Sequence, residues 1–225
     1  VDHLHGWGSI SKPGEVTVTS EDGKKQTVSA KKILIATGSE VASLPGIEID
    51  EKQIVSSTGA LELSSVPKHM VVIGGGYIGL EMGSVWKRLG AEVPVVEFLD
   101  RIVPSMDGDV AKEFTKVLKK QGIQFKLSPT VTEAKTSKSG VKLPLEPAQG
   151  GDKETLDCDV VLVSVGRKPY TDGLGLEAAG VATTKRGQVV VDDHFKTSVD
   201  GIYAIGDVID RGPMLAHKAV EEGVV

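Results

Sequence analysis

Residues Val71–Glu81 read VVIGGGYIGLE. A short β-branched run leads into Gly74-x-Gly76-x-x-Gly79, and a helix-forming stretch follows. A second β-branched run, Val93–Glu97, then ends in a carboxylate, Glu97. Strand, glycine turn, helix and acid-terminated strand in this order form the dinucleotide-binding fingerprint. Gly74 permits the tight turn, Gly76 lets backbone approach a pyrophosphate, and Gly79 lets the helix pack close to the strand. The helix N-terminus offers free N–H groups and the positive end of a dipole. Glu97 can accept hydrogen bonds from an adenosine ribose. The glycines alone would fit any strand-to-helix turn. It is the flanking strands, the stripe Leu80, Val85 and Leu89, and Gly90 at the helix C-terminus that make an adenine dinucleotide the expected ligand.

Composition sets the bounds. The chain has 225 residues, 40% hydrophobic and 25% charged, with 27 glycines, which suits one or two α/β domains. A net charge of −5 leaves no basic footprint for nucleic acid. No apolar run approaches the ~20 residues needed to span a membrane. Cys158 is the single cysteine, so no intrachain disulfide can form, and a buried inert thiol is the expected role. The sequence begins without Met and stops within a helical pattern, Ala216–Val225, so an internal piece of a longer chain is expected.

Other elements can be read along the chain. Val16–Thr19 and Gln26–Ser29 are short strands joined by Asp22-Gly23, a hairpin signal. Lys32–Ala36 is an apolar strand closing in Thr37-Gly38, and Glu40–Leu63 is a connection. The spacing predicts a helix over Asp107–Gln121 with Val110, Phe114, Val117 and Leu118 on one face, then a strand Ile123–Leu127. Val131–Lys135, Val141–Leu145 and Glu154–Cys158 suit an antiparallel meander with a polar loop at Gln149–Lys153. Val160–Val165 is apolar throughout, as for a strand buried on both faces. Val189–Val191 and Ile202–Ile205 are further short strands. Pro94 lies in the second strand of the fingerprint, where a missing donor is unwelcome. Either the strand starts at Val95 or the Pro94 nitrogen faces no partner.

Two more segments carry weight: Ile33–Ser39, ILIATGS, and Thr197–Asp207, TSVDGIYAIGD. Each is a short buried strand ending at a glycine. Asp207 would stand at a strand's carboxyl end, where open α/β sheets bind ligands, and could accept bonds from a sugar-alcohol chain or simply cap the next segment. With the internal GxGxxGxE, these segments occur in the order found in the two-dinucleotide flavoprotein disulfide reductases, and the chain resembles that family along essentially its whole length. Longer phrases share the resemblance, among them ILIATGSEV, IVSSTGAL, GLEMGSVWKRLGAEV, KQGIQFKL and GDVIDRGPMLAHKAVEEG.

The resemblance implies an α/β fold: a Rossmann-like three-layer dinucleotide-binding domain with an antiparallel β meander, plus part of an FAD-binding domain. Residues 1–41 would end the first FAD segment, 42–169 would be the NAD domain, and 170–225 a second FAD segment with the start of an interface domain. Carried over to matching positions, NAD would be held by Gly74, Gly75, Gly76, Tyr77, Ile78, Gly79, Leu80 and Glu81, with Glu97, Val131 and Gly166. FAD would be touched by Gly6, Thr37, Gly38, Ser39, Asp207, Met214, Leu215, Ala216 and His217. The implied reaction passes electrons from a protein-bound lipoyl dithiol through a redox disulfide and FAD to NAD. Implied partners are the lipoyl-bearing proteins of 2-oxo acid dehydrogenase and glycine cleavage complexes, in the mitochondrial matrix, with a homodimer as the working form.

The family's catalytic groups have no counterpart in these residues. It uses a Cys-x-x-x-x-Cys redox pair and a His-Pro-x-x-x-x-x-Glu acid/base motif, and neither is present, so no catalytic residue is assigned. His3 and His5 would share a strand face, but without a third ligand they do not make a metal site. His69 and His194 read as surface residues. Gly75 stands where the family usually has Ala, and the loop Ile209–Gly212 is longer than the family's, which could displace Met214. Two alternatives stay open: a glutathione-reductase-like enzyme, against which Glu97 argues because such enzymes usually place Arg there for NADPH, and a free-standing nucleotide-binding module.

Overall fold

The computed structural model describes residues 1–147, 150 and 153–224. Its contacts divide the chain into two units, Val1–Glu40 with Arg167–Val225, and Val41–Gly166.

The first unit opens with an antiparallel sheet of β1 (Trp7–Lys12), β2 (Glu15–Thr19) and β3 (Lys25–Ser29) in that order. The β2–β3 hairpin turns through Asp22-Gly23, where Gly23 takes φ 80° and donates to Ser20 O at 2.9 Å. β1 has no signal in the sequence reading. His3 and His5 precede it and lie in no strand, so they share no strand face. Their rings instead meet as a tilted pair, 4.2 Å between centroids and 46° between planes. The strand begins only after Gly6, whose φ of 148° and close approach to Thr19 O leave no room for a side chain. β4 (Ile33–Ile35) and β5 (Ser39–Val41) follow.

The second unit is a three-layer sandwich. Its centre is a five-stranded, all-parallel sheet built from β6 (Ile54–Val55), β7 (Met70–Ile73), β8 (Pro94–Glu97), β9 (Gln124–Leu127) and, much later in sequence, β14 (Val160–Val163). The spatial order is β6-β14-β7-β8-β9. Alternation along β7 shows why two layers are needed: Met70 and Val72 join one core cluster, Val71 and Ile73 the other. The first cluster lies under α1 (Ser57–Glu62), α2 (Tyr77–Leu89) and α3 (Gly108–Lys120). The second lies under an antiparallel meander of β10 (Pro129–Val131), β11 (Lys135–Ser137), β12 (Gly140–Pro147) and β13 (Glu154–Cys158). The expected strand Val131–Lys135 is in fact the gap between β10 and β11, which pair with opposite ends of β12. The loop expected over Gln149–Lys153 falls mostly outside the described residues.

Both long helices bury only part of the stripes their large apolar residues suggest: Leu80 and Leu118 are buried as expected, but most of their expected neighbours are not. α2 turns Gly79, Leu80, Gly83 and Trp86 inward, while Val85 and Leu89 are exposed. A Cβ on Gly83 would stand 3.3 Å from Val93 and 3.4 Å from Val72, so the helix approaches β7 and β8 through its glycines. α3 buries Ala111 and Leu118 and leaves Val110, Phe114 and Val117 exposed. Asp107 is its N-cap, accepting from Asp109 N at 2.9 Å. α1 lies inside the stretch Glu40–Leu63 expected as a connection. It is held from outside by Glu51, whose carboxylate accepts from Ser56 N (3.0 Å), Ser56 Oγ (2.6 Å) and Gly59 N (3.1 Å). Pro94 is the first residue of β8, paired with Gln124, and strand entry is where a missing donor is tolerated.

The chain returns to the first unit through β15 (Arg167–Pro169), which pairs with β5. β16 (Ile202–Ala204) then pairs parallel with β4, Ile33 opposite Ile202 and Ile35 opposite Ala204. A 3-10 turn, Gly206–Val208, and α4 (Ala216–Glu222) complete it. Val189–Val191 is no strand. Val189 is fully buried but makes only single-residue bridges to Thr183 and Ile209. Its burial explains the apolar run. The loop Ile209–Gly212 is pinned by Asp210 N to Val189 O at 3.1 Å and Arg211 Nε to Val191 O at 3.1 Å.

Candidate functional site

The fingerprint turn leaves β7 where the sheet's order reverses. β8 and β9 continue on one side of β7, and β14 returns on the other. Open α/β sheets bind ligands at this position, because flanking loops diverge there and leave a crevice. Ile73 is in register with Val96 and Val163, which brings Glu97 and Ser164 level with Gly74.

Each glycine is held differently. Gly74, at φ 110°, donates to Val96 O at 2.8 Å, and a Cβ there would collide with Ser164 O. Gly75 is buried and donates to Glu97 Oε2 at 2.6 Å. Gly76 is the N-cap of α2 without any side-chain cap, and a Cβ there would meet nothing within 4 Å. Gly79 sits where a Cβ would strike Gly74 O and Ser164 Oγ and lie 3.0 Å from Val72 Cγ1. Gly74 and Gly79 are thus demanded by packing or conformation, while a Cβ on Gly75 would stand a tight 3.1 Å from Glu97 Oε2 and Ile102 Cγ2. Gly76 alone is demanded by nothing in the protein, and it faces the open space at the helix N-terminus.

Glu97 is 9% exposed, and both of its oxygens are engaged by backbone: Oε2 by Gly75 N–H and Oε1 by Leu99 N–H at 2.8 Å. A carboxylate offers about four acceptor positions, so capacity remains for two hydroxyls. Of the other residues assigned to this ligand, Tyr77 and Glu81 are exposed on α2, Ile78 is half-buried, and Leu80 points into the core. Val131 is 7% exposed and packed in the core beneath the meander. Gly166 is exposed, at φ 123°.

In the other unit the parallel pair β4–β16 brings ATGS and IGD to one end of two adjacent strands. Ser39 Oγ donates to Asp207 Oδ2 at 2.5 Å. Arg167, which the sequence reading did not single out, donates from Nε to Ser39 Oγ at 2.7 Å and from Nη2 to Ser39 O at 2.6 Å. Because Arg167 can only donate, the Ser39 proton must go to Asp207. Thr37 Oγ1 donates to Tyr170 O at 2.6 Å, and Gly38, at φ 71°, accepts from Tyr170 N at 2.9 Å. Gly6 is accounted for by the β1–β2 contact. Met214 and Leu215 are half-buried, Ala216 and His217 exposed. α4 docks on the Asp207 turn through Glu222, which accepts from Gly206 N at 2.7 Å and pairs with Lys218 at 2.5 Å.

Cys158 is buried at the end of β13, with Sγ 3.7 Å from Val141 O. Burial, with Asp159 and Asp157 adding to it against an opposing backbone bond from Val71, pushes its thiol up to about 12. It is not a nucleophile at neutral pH. Among the described residues no group of three His, Cys, Asp or Glu can hold a metal, and no helix is long and apolar enough to cross a membrane.

A Gly-x-Gly-x-x-Gly turn at a sheet's switch point in one unit, and paired ATGS and IGD strand ends in the other, define a class, and the chain belongs to it: the pyridine nucleotide-disulphide oxidoreductase family, matched over residues 3–223. Within that family it is similar to proteins of one kind. It is 58% identical over 224 residues to dihydrolipoyl dehydrogenase 1, mitochondrial, of Arabidopsis thaliana, covering 100% of this chain and 44% of that one. Dihydrolipoyl dehydrogenase 3 of Pseudomonas putida is 54% identical over 224 residues, covering 100% of this chain and 48% of that one. Among solved structures, the HOCl-induced flavoprotein disulfide reductase RclA from Escherichia coli matches with TM-score 0.87 at 29% identity, covering 98% of this chain and 48% of that one. LpdA from Mycobacterium tuberculosis matches at 0.86 and 28%, with the same coverage. The chain spans less than half the length of each.

Proposed function

We propose that this sequence is the NAD-binding part, with a portion of the FAD-binding part, of a dihydrolipoyl dehydrogenase. That enzyme reoxidises protein-bound dihydrolipoamide through a redox disulfide and FAD and passes the electrons to NAD. The observation that carries the reading is the Gly74–Gly79 turn, where Gly76 faces open space beside a carboxylate already held in place by the turn itself. Identity of 54–58% to dihydrolipoyl dehydrogenases supports the choice of enzyme.

The residues present fit both cofactors. NAD would lie with its pyrophosphate over Gly76 and the start of α2, its adenosine ribose on Glu97, and its remaining length along Ile78–Glu81, Val131 and Gly166. In this assignment Val41–Gly166 corresponds to the NAD domain, close to the 42–169 read from sequence. Asp207, ordered by Ser39 and Arg167, would accept bonds from the flavin's ribityl chain, with Thr37, Gly38 and Met214–His217 beside it. The cofactors supply hydride transfer, and the protein supplies binding, orientation and exclusion of water. Lipoyl-bearing proteins of 2-oxo acid dehydrogenase and glycine cleavage complexes, a homodimer, and the mitochondrial matrix go with this assignment.

Calorimetric titration of the chain with NAD tests the reading at its base. Saturable one-site binding is expected. No binding by a chain that is folded by circular dichroism would overturn it.

A further inference from the structure

We propose that Val103 is a positioning residue for the pyrophosphate turn: by holding the Gly75 carbonyl from behind, it aims the Gly76 N–H at the ligand. The proposal rests on reading this turn as a dinucleotide site. Val103 is a β-branched residue at φ 39°, in the left-handed region where such side chains are genuine outliers, and it is 7% exposed. A conformation of that kind persists only where its surroundings impose it. Here they do. The preceding Ile102 is fully buried, with Cγ2 3.1 Å from where a Cβ on Gly75 would stand. On the other side Arg101 Nη2 donates to Pro104 O at 2.9 Å, and Met106 N–H donates to Val103 O at 2.9 Å. The outcome is that Val103 N–H donates to Gly75 O at 2.9 Å.

That bond has a directional consequence. The Gly75–Gly76 peptide is trans and planar, so its C=O and N–H point in opposite directions. With the carbonyl drawn toward Val103, the Gly76 N–H is turned away from the 98–106 loop. Gly74 N–H is taken by Val96 O and Gly75 N–H by Glu97, whereas Gly76 N–H has no acceptor among the described residues. One face of the turn is therefore fully bonded to protein, which leaves the other amide pre-aimed. Preorganised donors bind an anion without the cost of reorienting when it arrives.

The test replaces the Val103 amide in the 225-residue chain by an ester, which removes the N–H and keeps the side chain. NAD, ADP-ribose and adenosine are titrated against both forms, adenosine serving as a ligand that lacks the pyrophosphate. NAD and ADP-ribose affinities are expected to fall about tenfold, while adenosine stays within twofold. Unchanged NAD affinity in the ester form, or an equal loss for adenosine, would overturn the role. Failure of the unmodified chain to bind NAD would instead overturn the dinucleotide reading, and this role with it.

Discussion

The backbone N–H of Gly75 donates to Glu97 Oε2 at 2.6 Å, tying the glycine turn after β7 to the end of β8. Glu97 therefore has two duties. It shapes the turn whether or not a ligand is bound, and it presents its remaining lone pairs to whatever lies beside the turn. A residue that only met a ligand would leave the turn's shape to others, whereas this one also holds the turn itself together.

Cofactor choice follows from its charge. A 2′-phosphate would bring roughly two negative charges against a carboxylate that is nearly buried. At ~4 Å and an effective dielectric of ~20, each charge pair costs on the order of 4 kcal/mol before relaxation and salt. A third of that still gives about tenfold discrimination. Calorimetry should show NAD binding at least tenfold tighter than NADP. Glu97→Arg should lose NAD without reaching comparable NADP affinity, because Gly75 and Leu99 N–H lose their acceptor. Equal affinities in the unmodified chain would remove the role given to Glu97.

Two glycines in the same turn should fail in opposite ways. Gly76→Val places its side chain in open space, so the melting temperature should hold within a few degrees while NAD binding disappears. Gly79→Ala forces a methyl onto Gly74 O and Ser164 Oγ, so stability should fall by about 1–3 kcal/mol, the range for overpacking. Thermal melts with and without NAD separate the two. Normal NAD binding by Gly76→Val would reduce the fingerprint to a turn.

The fingerprint was legible because its residues act on near neighbours: β7, the turn, α2 and β8 follow one another, and Gly74, Gly75 and Gly79 each meet a contact within that stretch. Helix faces were less legible. Reading Val85 and Leu89 as inward follows the large apolar residues, yet α2 approaches the sheet through Gly79 and Gly83, which carry no hydrophobic signal. In α3 the apolar residues span more than one face, and Ala111 and Leu118 prevail because of where the sheet lies. Arg167 could not be found from sequence, since its partner Ser39 lies far away along the chain. Val103 gave no warning either, because nothing local announces a valine forced to a positive φ.

Cys158 should be chemically silent in the folded chain. With its thiol pushed up to about 12 from 9.0 by burial, it keeps its proton at pH 8. A thiol reagent such as DTNB should react only after denaturant is added. The sign of the linkage also follows. Below pH 9 both states hold the proton, whereas between about 9 and 12 the unfolded chain ionises and the folded one does not. The unfolded state then binds fewer protons, and stability should fall as pH rises, by up to ~1.4 kcal/mol per pH unit from this group. Cys158→Ala should lack that slope. Rapid native labelling at pH 8 would contradict the burial of the thiol.

The chain taken by itself should bind NAD yet neither turn over dihydrolipoamide nor retain FAD. Reduction of a disulfide by a dithiol passes through two protein thiols, and this sequence holds one cysteine, buried and protonated. The flavin needs its own pyrophosphate turn, and the single Gly-x-Gly-x-x-Gly here, after β7, is assigned to NAD. Asp207, Ser39 and Thr37 can meet a ribityl chain but offer no comparable cradle of amides for a second pyrophosphate. The residues proposed to hold NAD, by contrast, all lie within Val41–Gly166. Refolding with excess FAD, desalting and recording a visible spectrum should therefore give a colourless protein that still binds NAD by calorimetry. NADH production from dihydrolipoamide should match the protein-free control. A stoichiometric flavin band would show that Arg167, Ser39 and Asp207 hold far more of the cofactor than one stretch of its chain.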